Sequence, residues 1–314
     1  MRLRQLYISL LIGVGTLALT ACGGGDVSSA SSVPPPTPTP TPTPTSAQSV
    51  TIFGSPVVGQ YASVGASATG HPWTAGAGTP VGPVSTADAD QVHIRYTGSG
   101  TYEVQLTGGA WNALIPYGQG TGPDVLQGLA GISQLAISGS RDKGYQYSEL
   151  ASWSSSSRFG AFAFGVPTAA GQVPLTGSGT YAGIVAGQSN VIGHNSFDGS
   201  YILPVVGSVA LSFDFAKGSL TGAMTLSLDS YQQLPLGTFT FKDTVFSAGS
   251  TTYSGAFNTP ATGGQNSFLG QFTGPAAQET IGAWALPFIL STGNSEVSAD
   301  GLTHQAFGAF IAKH

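Results

Sequence analysis

The feature that most restricts the fold of this chain is a series of short segments in which apolar residues alternate with small or polar ones. Successive side chains of a β-strand point to opposite faces of the sheet, so a period of two predicts strands with one buried face. No heptad pattern and no long segment of helical period occurs after residue 49. The chain is therefore predicted to be all-β. The clearest strands are predicted at residues 159–166, 179–187, 205–215, 219–229, 237–246, 252–258, 266–274, 280–288 and 305–312.

Tight turns join most of these segments, as in the Ala216-Lys217-Gly218 connection. Eight or nine consecutive antiparallel strands can close into a barrel, which leaves no sheet edge exposed. Glycines inside the strands fit such a barrel, because curvature and close approach of the backbone favour them. We predict an antiparallel eight-stranded soluble β-barrel over residues 158–314, with a ninth strand as the alternative count. A barrel that spans a membrane also has period two, but the N-terminal features and the C-terminal Lys313-His314 argue against it.

The residues before this barrel are predicted to form a β-rich domain from residue 50 to residue 157. Its clearest element is the hairpin QVHIRYTGSGTYEVQLTG, in which Val92, Ile94 and Tyr96 share one face. A TGSG turn reverses the chain, and a second alternating run follows. Gly- and Pro-rich loops dominate the rest of this half.

The N-terminus has the form of a lipoprotein signal peptide. Arg2 and Arg4 precede an apolar run from Leu6 to Leu19 that is short for a membrane-spanning helix. The run ends in Leu-Thr-Ala-Cys, which resembles the lipobox of bacterial lipoproteins. We predict that residues 1–21 are removed, that Cys22 carries the lipid anchor and that the protein reaches the outer membrane. Because Cys22 is the single cysteine, no disulfide is expected.

Residues 22–49 are predicted to form a tether between the lipid and the folded body. The sequence PPPTPTPTPTPT places proline at every second position, which fixes φ and removes backbone donors. Such a segment favours an extended polyproline II conformation. The tether would hold the folded body away from the membrane.

The composition excludes one class of partner. Charged residues make up 7% of the chain, and without Arg2 and Arg4 seven basic residues face fourteen acidic ones, a formal charge of −7. Neutralising phosphates requires clustered Lys and Arg, and the chain has no such cluster. We therefore expect no nucleic acid partner.

The stretch NSFLGQFTGPAAQETIGAWALP places a short helix-prone piece, GPAAQE, between two strands. Proline near a helix start followed by alanines predicts a single helical turn. We call residues 274–279 the plug turn, because we expect it to close one mouth of the barrel and to reverse the chain. The glycines, aromatics and charged residue around it follow the pattern G-x-F-x-G-P-x-A-x-E-x-x-G-x-W, at Gly270, Phe272, Gly274, Pro275, Ala277, Glu279, Gly282 and Trp284.

This pattern resembles the C-terminal barrel signature of the transferrin-binding protein B family of surface lipoproteins. FGAFAFGVPTAAGQVPLTGSGTYAG resembles the first strand and following loop of that barrel, LSFDFAKGSLTGAMTLSL its central hairpin and QAFGAFIAKH its closing strand. The resemblance covers about residues 158–314. It implies a handle-like domain before the barrel, a single lobe where the transferrin receptor component has two, and export by an outer-membrane translocator.

No catalytic signature is present. The chain lacks G-x-S-x-G, H-E-x-x-H, G-x-x-x-x-G-K-[ST] and paired-cysteine metal spacing, so we predict that it is not an enzyme and holds no metal. Asp88 and Asp90 are interpreted as turn formers rather than a catalytic pair. Glu279 is interpreted as part of the plug turn, where its carboxylate can accept backbone N–H groups.

Aromatic residues near Gly-rich loops and two loop histidines are the candidate ligand contacts. Large amphipathic rings often anchor partners, although packing in the core is the alternative interpretation. No cofactor is predicted, but haem is a candidate ligand because some single-lobe relatives carry it and a histidine could ligate its iron. The candidate residues are Trp73, Trp111, Tyr117, Tyr145, Tyr147, Trp153, His71 and His194.

The sequence thus predicts a lipid-anchored outer-membrane protein, displayed at the cell surface, that binds a macromolecule or a nutrient ligand. One alternative is a structural or adhesive envelope lipoprotein without a soluble ligand. The second alternative is a hydrolase with an unrecognised site.

Overall fold

The computed structural model describes residues 52, 55–70, 81–87, 91–98, 100–116, 125–127, 134–137, 140–195 and 199–314. The predicted signal peptide and tether lie outside these residues. Within the described part, no helix has the length and apolar character needed to cross a membrane. The strands are β1 (Gly59–Gln60), β2 (Ala62–Thr69), β3 (Val84–Ser85), β4 (Val92–Gly98), β5 (Thr101–Leu106), β6 (Asn112–Ala113), β7 (Ile115–Pro116), β8 (Val125–Gln127), β9 (Gln134–Ile137), β10 (Ser148–Ser154), β11 (Arg158–Gly165), β12 (Ser178–Asn195), β13 (Gly199–Asp214), β14 (Ser219–Leu228), β15 (Leu234–Val245), β16 (Thr252–Phe257), β17 (Ser267–Thr273), β18 (Glu279–Ile289) and β19 (Thr303–Lys313).

Strands β12 to β19 form a closed antiparallel barrel in which each strand pairs with its neighbour along the chain. Closure occurs where β19 pairs with β12, from Ala182 opposite Lys313 to Ser189 opposite Ala306. The prediction of an all-β chain with an eight-stranded barrel is confirmed. Because the first and last strands pair with each other, the barrel leaves no free edge between them.

Alternation along the strands separates a dry interior from the outer surface. On β13, Val209, Leu211 and Phe213 point inward and are buried, whereas Ala210 and Ser212 between them are exposed. The interior is filled by aromatic and aliphatic side chains, with Tyr181, Phe213, Tyr253 and Phe272 in ring contact. The barrel is therefore a packed core and not an open tube.

Two further sheets cover one side of the barrel. The larger has the strand order β3-β2-β11-β10-β9-β8-β7, and the smaller has the order β1-β4-β5-β6. One face of the larger sheet packs on the outside of β18 and β19, for example through Ala161 and Ala163 against Ile281 and Ile311. This contact explains why β18 is buried on both faces and lacks polar alternation.

The other face of the larger sheet packs against the smaller sheet. Phe162 and Trp153 of the larger sheet lie in one buried cluster with Ile94 and Val104 of the smaller sheet. The predicted hairpin is present as β4 and β5, with Ile94 opposite Val104 and Tyr96 opposite Tyr102. The fold is thus three layers deep, with the barrel as one layer.

One predicted barrel strand lies elsewhere. The segment predicted at residues 159–166 is β11, which pairs with β10 and β2 in the larger sheet, so its assignment to the barrel is wrong and the barrel begins at Ser178. The physical reason is that β11 is buried on both faces, between the barrel and the smaller sheet. The sequence of a strand that is apolar on both faces is compatible with the barrel and with the larger sheet. Only its pairing partners show which of the two it joins. The division into domains at residues 50–157 and 158–314 stays a prediction.

Candidate functional site

The plug turn closes one end of the barrel as predicted. Pro275–Ala277 forms a 3-10 turn, but Ala276 and Ala277 have left-handed φ values of 53° and 57°, so the predicted regular helical turn is not what closes this end. Ala277 is buried in the barrel core, and its carbonyl accepts a 2.5 Å hydrogen bond from the hydroxyl of Tyr181. The turn leads directly from β17 into β18, which pair antiparallel, so it also reverses the chain.

Glu279 joins the plug end of the barrel to the chain that leads into β10. Its side-chain oxygens accept hydrogen bonds from the backbone N–H groups of Gln146 at 2.7 Å and Tyr147 at 3.0 Å. The residue is only 4% exposed. Burial raises the pKa of its carboxyl, and the hydrogen bonds oppose that rise. The predicted role of this carboxylate, to accept backbone N–H groups, matches the geometry.

Lys313 holds the same segment from the neighbouring strand. Glu279 and Lys313 lie opposite each other in the pairing of β18 and β19. The Lys313 ammonium donates a 2.7 Å hydrogen bond to the carbonyl of Lys143 and lies 5.2 Å from the centre of the Tyr145 ring. The Glu279 carboxylate and the Lys313 ammonium thus hold the same short segment, residues 143–147. The carboxylate accepts from its backbone N–H groups, and the ammonium donates to one of its carbonyls.

Two motif glycines provide space for aromatic rings. Gly274 has a φ of 74°, and a Cβ there would lie 2.5 Å from the Tyr147 ring. A Cβ at Gly282 would lie 2.1 Å from the Phe310 ring, and Gly282 is paired with Gly270. Phe272 and Trp284 fill the barrel interior. The motif is therefore explained by packing, both in the barrel core and at the junction with Tyr147.

The opposite end of the barrel is closed by a connecting segment that the sequence analysis missed. Residues 290–302, here called the cover segment, connect β18 to β19, and Leu290 and Val297 of this segment are buried in the barrel core. Of the described connections, residues 229–233 and residues 258–266 also lie at this end. We call these three connections together the far rim.

Two side chains of the cover segment fix the connection 229–233. Asn294 donates through Nδ2 to Ser230 Oγ at 2.8 Å and to the carbonyl of Gln232 at 2.9 Å. Its Oδ1 accepts from the backbone N–H groups of Glu296 and Val297 at 2.9 and 3.0 Å. Glu296 accepts a 2.8 Å hydrogen bond from the backbone N–H of Tyr231. The backbone that carries Tyr231 is therefore held on both sides.

The side chain of Tyr231 projects into solvent from this fixed backbone and is 89% exposed. His194, a sequence candidate, is adjacent through the same residue, because its backbone N–H donates to the Glu296 carbonyl at 3.0 Å. The imidazole Nδ1 of His194 lies 2.9 Å from Ser200 Oγ. Glu296 thus contacts the backbone of both His194, at the end of β12, and Tyr231, which the sequence analysis did not select. A tyrosine in the polar loop DSYQQ between two alternating runs was the available signal.

The other sequence candidates occupy different environments. Tyr145, Tyr147 and Trp153 are buried and pack inside the body, which agrees with the alternative core interpretation. Trp111 is half-buried, with the Arg95 guanidinium 4.4 Å from its ring centre. Their role in ligand binding stays a prediction. Three other candidates, Trp73, Tyr117 and His71, lie outside the described residues, together with Asp88 and Asp90.

The described residues also bear on metals and haem. Among them, no group of three or more His, Cys, Asp or Glu is placed to hold a metal ion. The barrel interior is filled by packed side chains and capped at both ends, so it has no room for a haem. His194 is exposed and lies outside that interior. The described interior of the barrel is therefore not a candidate ligand site.

Comparisons with known proteins give a fold-level likeness. No family model matches the sequence, and no curated protein matches it. The chain is similar to solved structures of transferrin-binding protein B. These are the proteins of the family that its C-terminal motif resembles.

The likeness is distant in sequence and partial in length. A double mutant from Haemophilus parasuis Hp5 is 14% identical, with a TM-score of 0.38 over 80% of this chain and 44% of that one. The isotype 1 protein from serogroup B Neisseria meningitidis is 14% identical, with a TM-score of 0.38 over 80% and 43%. Intact Ap-TbpB with both lobes is 15% identical, with a TM-score of 0.33 over 73% and 55%. The chain thus spans less than two thirds of each of these proteins.

Proposed function

We propose that this chain is a surface-exposed outer-membrane lipoprotein that binds a macromolecule or a nutrient ligand through loops on a rigid barrel. Cys22 would carry the lipid, residues 22–49 would be the tether, and an outer-membrane translocator would export the body by analogy with the family that the sequence resembles. No bond chemistry is part of the proposal.

The observation that carries the proposal is the closure of the barrel at both ends. Ala277 seals one end and Val297 seals the other, and both are buried in the core. Since a packed interior cannot admit a ligand, recognition has to use the outside of the molecule. Loops fixed on a rigid scaffold suit recognition, because little conformational entropy is lost when they bind.

The anchoring part of the proposal is tested by labelling cells with radioactive palmitate and then treating intact cells with protease. We expect the full-length chain to incorporate palmitate and Cys22→Ser to lose it. We also expect protease to remove the body from intact cells. A labelled body that survives the protease would face the periplasm and would contradict surface display.

The binding part is tested with the full-length protein in detergent, immobilised and exposed to growth medium and host or environmental extracts. Captured proteins are identified by mass spectrometry, and bound haem by its absorbance. We expect a ligand whose capture falls with Tyr231→Ala and persists with Leu175→Ala. Leu175 is a suitable control because it is 65% exposed and lies close to Gly249 in the connection 246–251, at the plug end. A protein that captures nothing would favour the structural or adhesive alternative.

A further inference from the structure

Charges are distributed unevenly along the axis of the barrel. All the lysines and arginines of residues 178–314 lie in the half next to the plug turn, at Lys217, Lys242 and Lys313. Three acidic residues share that half, and one of them, Asp214, pairs with Lys217 at 2.8 Å. Positive and negative charges therefore balance at the plug end.

The far rim has acidic residues without basic ones. Asp229 and Asp300 are exposed, and Glu296 is half-buried. The segments 189–203, 228–236, 257–267 and 289–304 contain no lysine or arginine. The imidazole of His304 lies 2.9 Å from the carboxylate of Asp300 and carries a positive charge only when it is protonated. Among the barrel residues at this end, acidic side chains therefore outnumber basic ones, and the nearby cation of the larger sheet is Arg158, whose neighbour Phe159 contacts Phe307.

The far end of the barrel also exposes large apolar side chains that are not part of the core. Besides Tyr231, the far end exposes Leu302, which is 62% exposed, and Ile289 at the end of β18. Aromatic side chains on a fixed backbone lose little entropy on binding and are common anchors of interfaces. Asn294 and Glu296 already fix the Tyr231 backbone in the free protein.

From these observations we propose that the far rim docks onto the basic surface of a protein partner, with Tyr231 inserted into a pocket of that partner. The inference rests on the proposed function, because it names the partner class of the same rim. Lysine and arginine side chains of the partner would lie against Asp229 and Asp300 and would speed association by electrostatic steering.

The test selects short random peptides displayed on phage against the full-length lipoprotein in detergent. We expect the enriched peptides to carry lysine or arginine beside aromatic or aliphatic residues. The strongest peptides are then synthesised, and their affinities are measured by biolayer interferometry at low and high salt. We expect Tyr231→Ala to weaken binding about 30-fold, the loss typical of an interface hot spot, and Leu175→Ala to leave it unchanged.

Asp229 provides the matched charge variant, because its carboxylate is exposed. We expect Asp229→Asn to slow association about 3-fold at low salt and to have little effect at high salt, where screening removes the attraction. Neutral or acidic enriched peptides, or binding that Tyr231→Ala leaves intact, would overturn the inference.

A second copy of the chain is the competing occupant, because its plug end carries exposed lysines. Sedimentation of the full-length protein distinguishes it. Self-association that Lys242→Gln abolishes would assign the rim to the chain itself and would overturn the proposed partner class. These outcomes are independent of palmitate labelling and protease shaving, so a failed rim inference is distinguishable from a failed proposed function.

Discussion

The carboxylate of Glu279 accepts a 2.7 Å hydrogen bond from the backbone N–H of Gln146, a residue 133 positions earlier in the chain. This bond connects the first residue of β18 to the segment that leads into β10. Because the carboxylate is buried, neither partner can exchange the bond for water without opening the contact between the barrel and the larger sheet. Glu279, a residue of the sequence motif, thus connects the barrel to the segment that leads into the larger sheet.

Replacing Glu279 by Ala should lower the free energy of unfolding by about 2 kcal/mol, because the backbone N–H groups of Gln146 and Tyr147 would stay buried without this acceptor. Urea denaturation of the full-length protein measures the change. Asp229→Asn, at an exposed position at the other end of the barrel, is the control and should change stability little. Equal stability of Glu279→Ala and the wild type would show that the junction does not depend on this carboxyl group.

The stability of the wild type should depend on pH through the same group. The pKa of Glu279 is raised in the folded protein, so between its unfolded value and its folded value the folded state binds more protons than the unfolded state. Stability from this group therefore rises as the pH falls through the folded pKa and is lost as the pH rises. Unfolding curves at several pH values above 4.5 should show the free energy of unfolding of the wild type, relative to that of the non-titrating Glu279→Gln, increasing as the pH is lowered. A relative free energy that stays constant or decreases as the pH is lowered would contradict this assignment.

Replacing Gly282 by Ala should destabilise the barrel by about 1–3 kcal/mol, since a Cβ would lie 2.1 Å from the buried Phe310 ring. Thermal unfolding measures the effect. The double variant Gly282→Ala with Phe310→Leu should lose less stability than the sum of the two single changes, because the smaller side chain makes room for the methyl group. Additive losses in this cycle would show that the two residues are not coupled by contact.

Replacing Asn294 by Ala should release the cover segment, because four hydrogen bonds that connect it internally and to residues 230 and 232 are lost together. We expect a loss of about 2 kcal/mol and new protease cleavage within residues 290–302. Asn258→Ala is the matched control at the same rim, because its side chain makes a hydrogen bond to Thr240. Cleavage that is no faster than in this control would mean that the buried Leu290 and Val297 hold the cover without Asn294.

Sequence reasoning located most barrel strands to within a few residues, because alternation of buried and exposed side chains is a local property. It also identified the plug turn and the acceptor role of Glu279. It did not identify the cover segment, because Leu290 and Val297 are isolated apolar residues in a polar stretch and only packing shows that they enter the core. Tyr231 was also missed, because its backbone is fixed by a hydrogen bond to Glu296, a residue 65 positions later in the chain.

The sequence by itself determined that residues after the tether form antiparallel strands and that the second half contains enough of them to close. Only the tertiary structure decided that β11 belongs to the larger sheet, that the barrel is capped at both ends, and that the far rim holds Tyr231 in solvent. The physical reason is that strand formation depends on a local pattern of period two, whereas the choice of pairing partner and of buried face depends on residues distant in the chain.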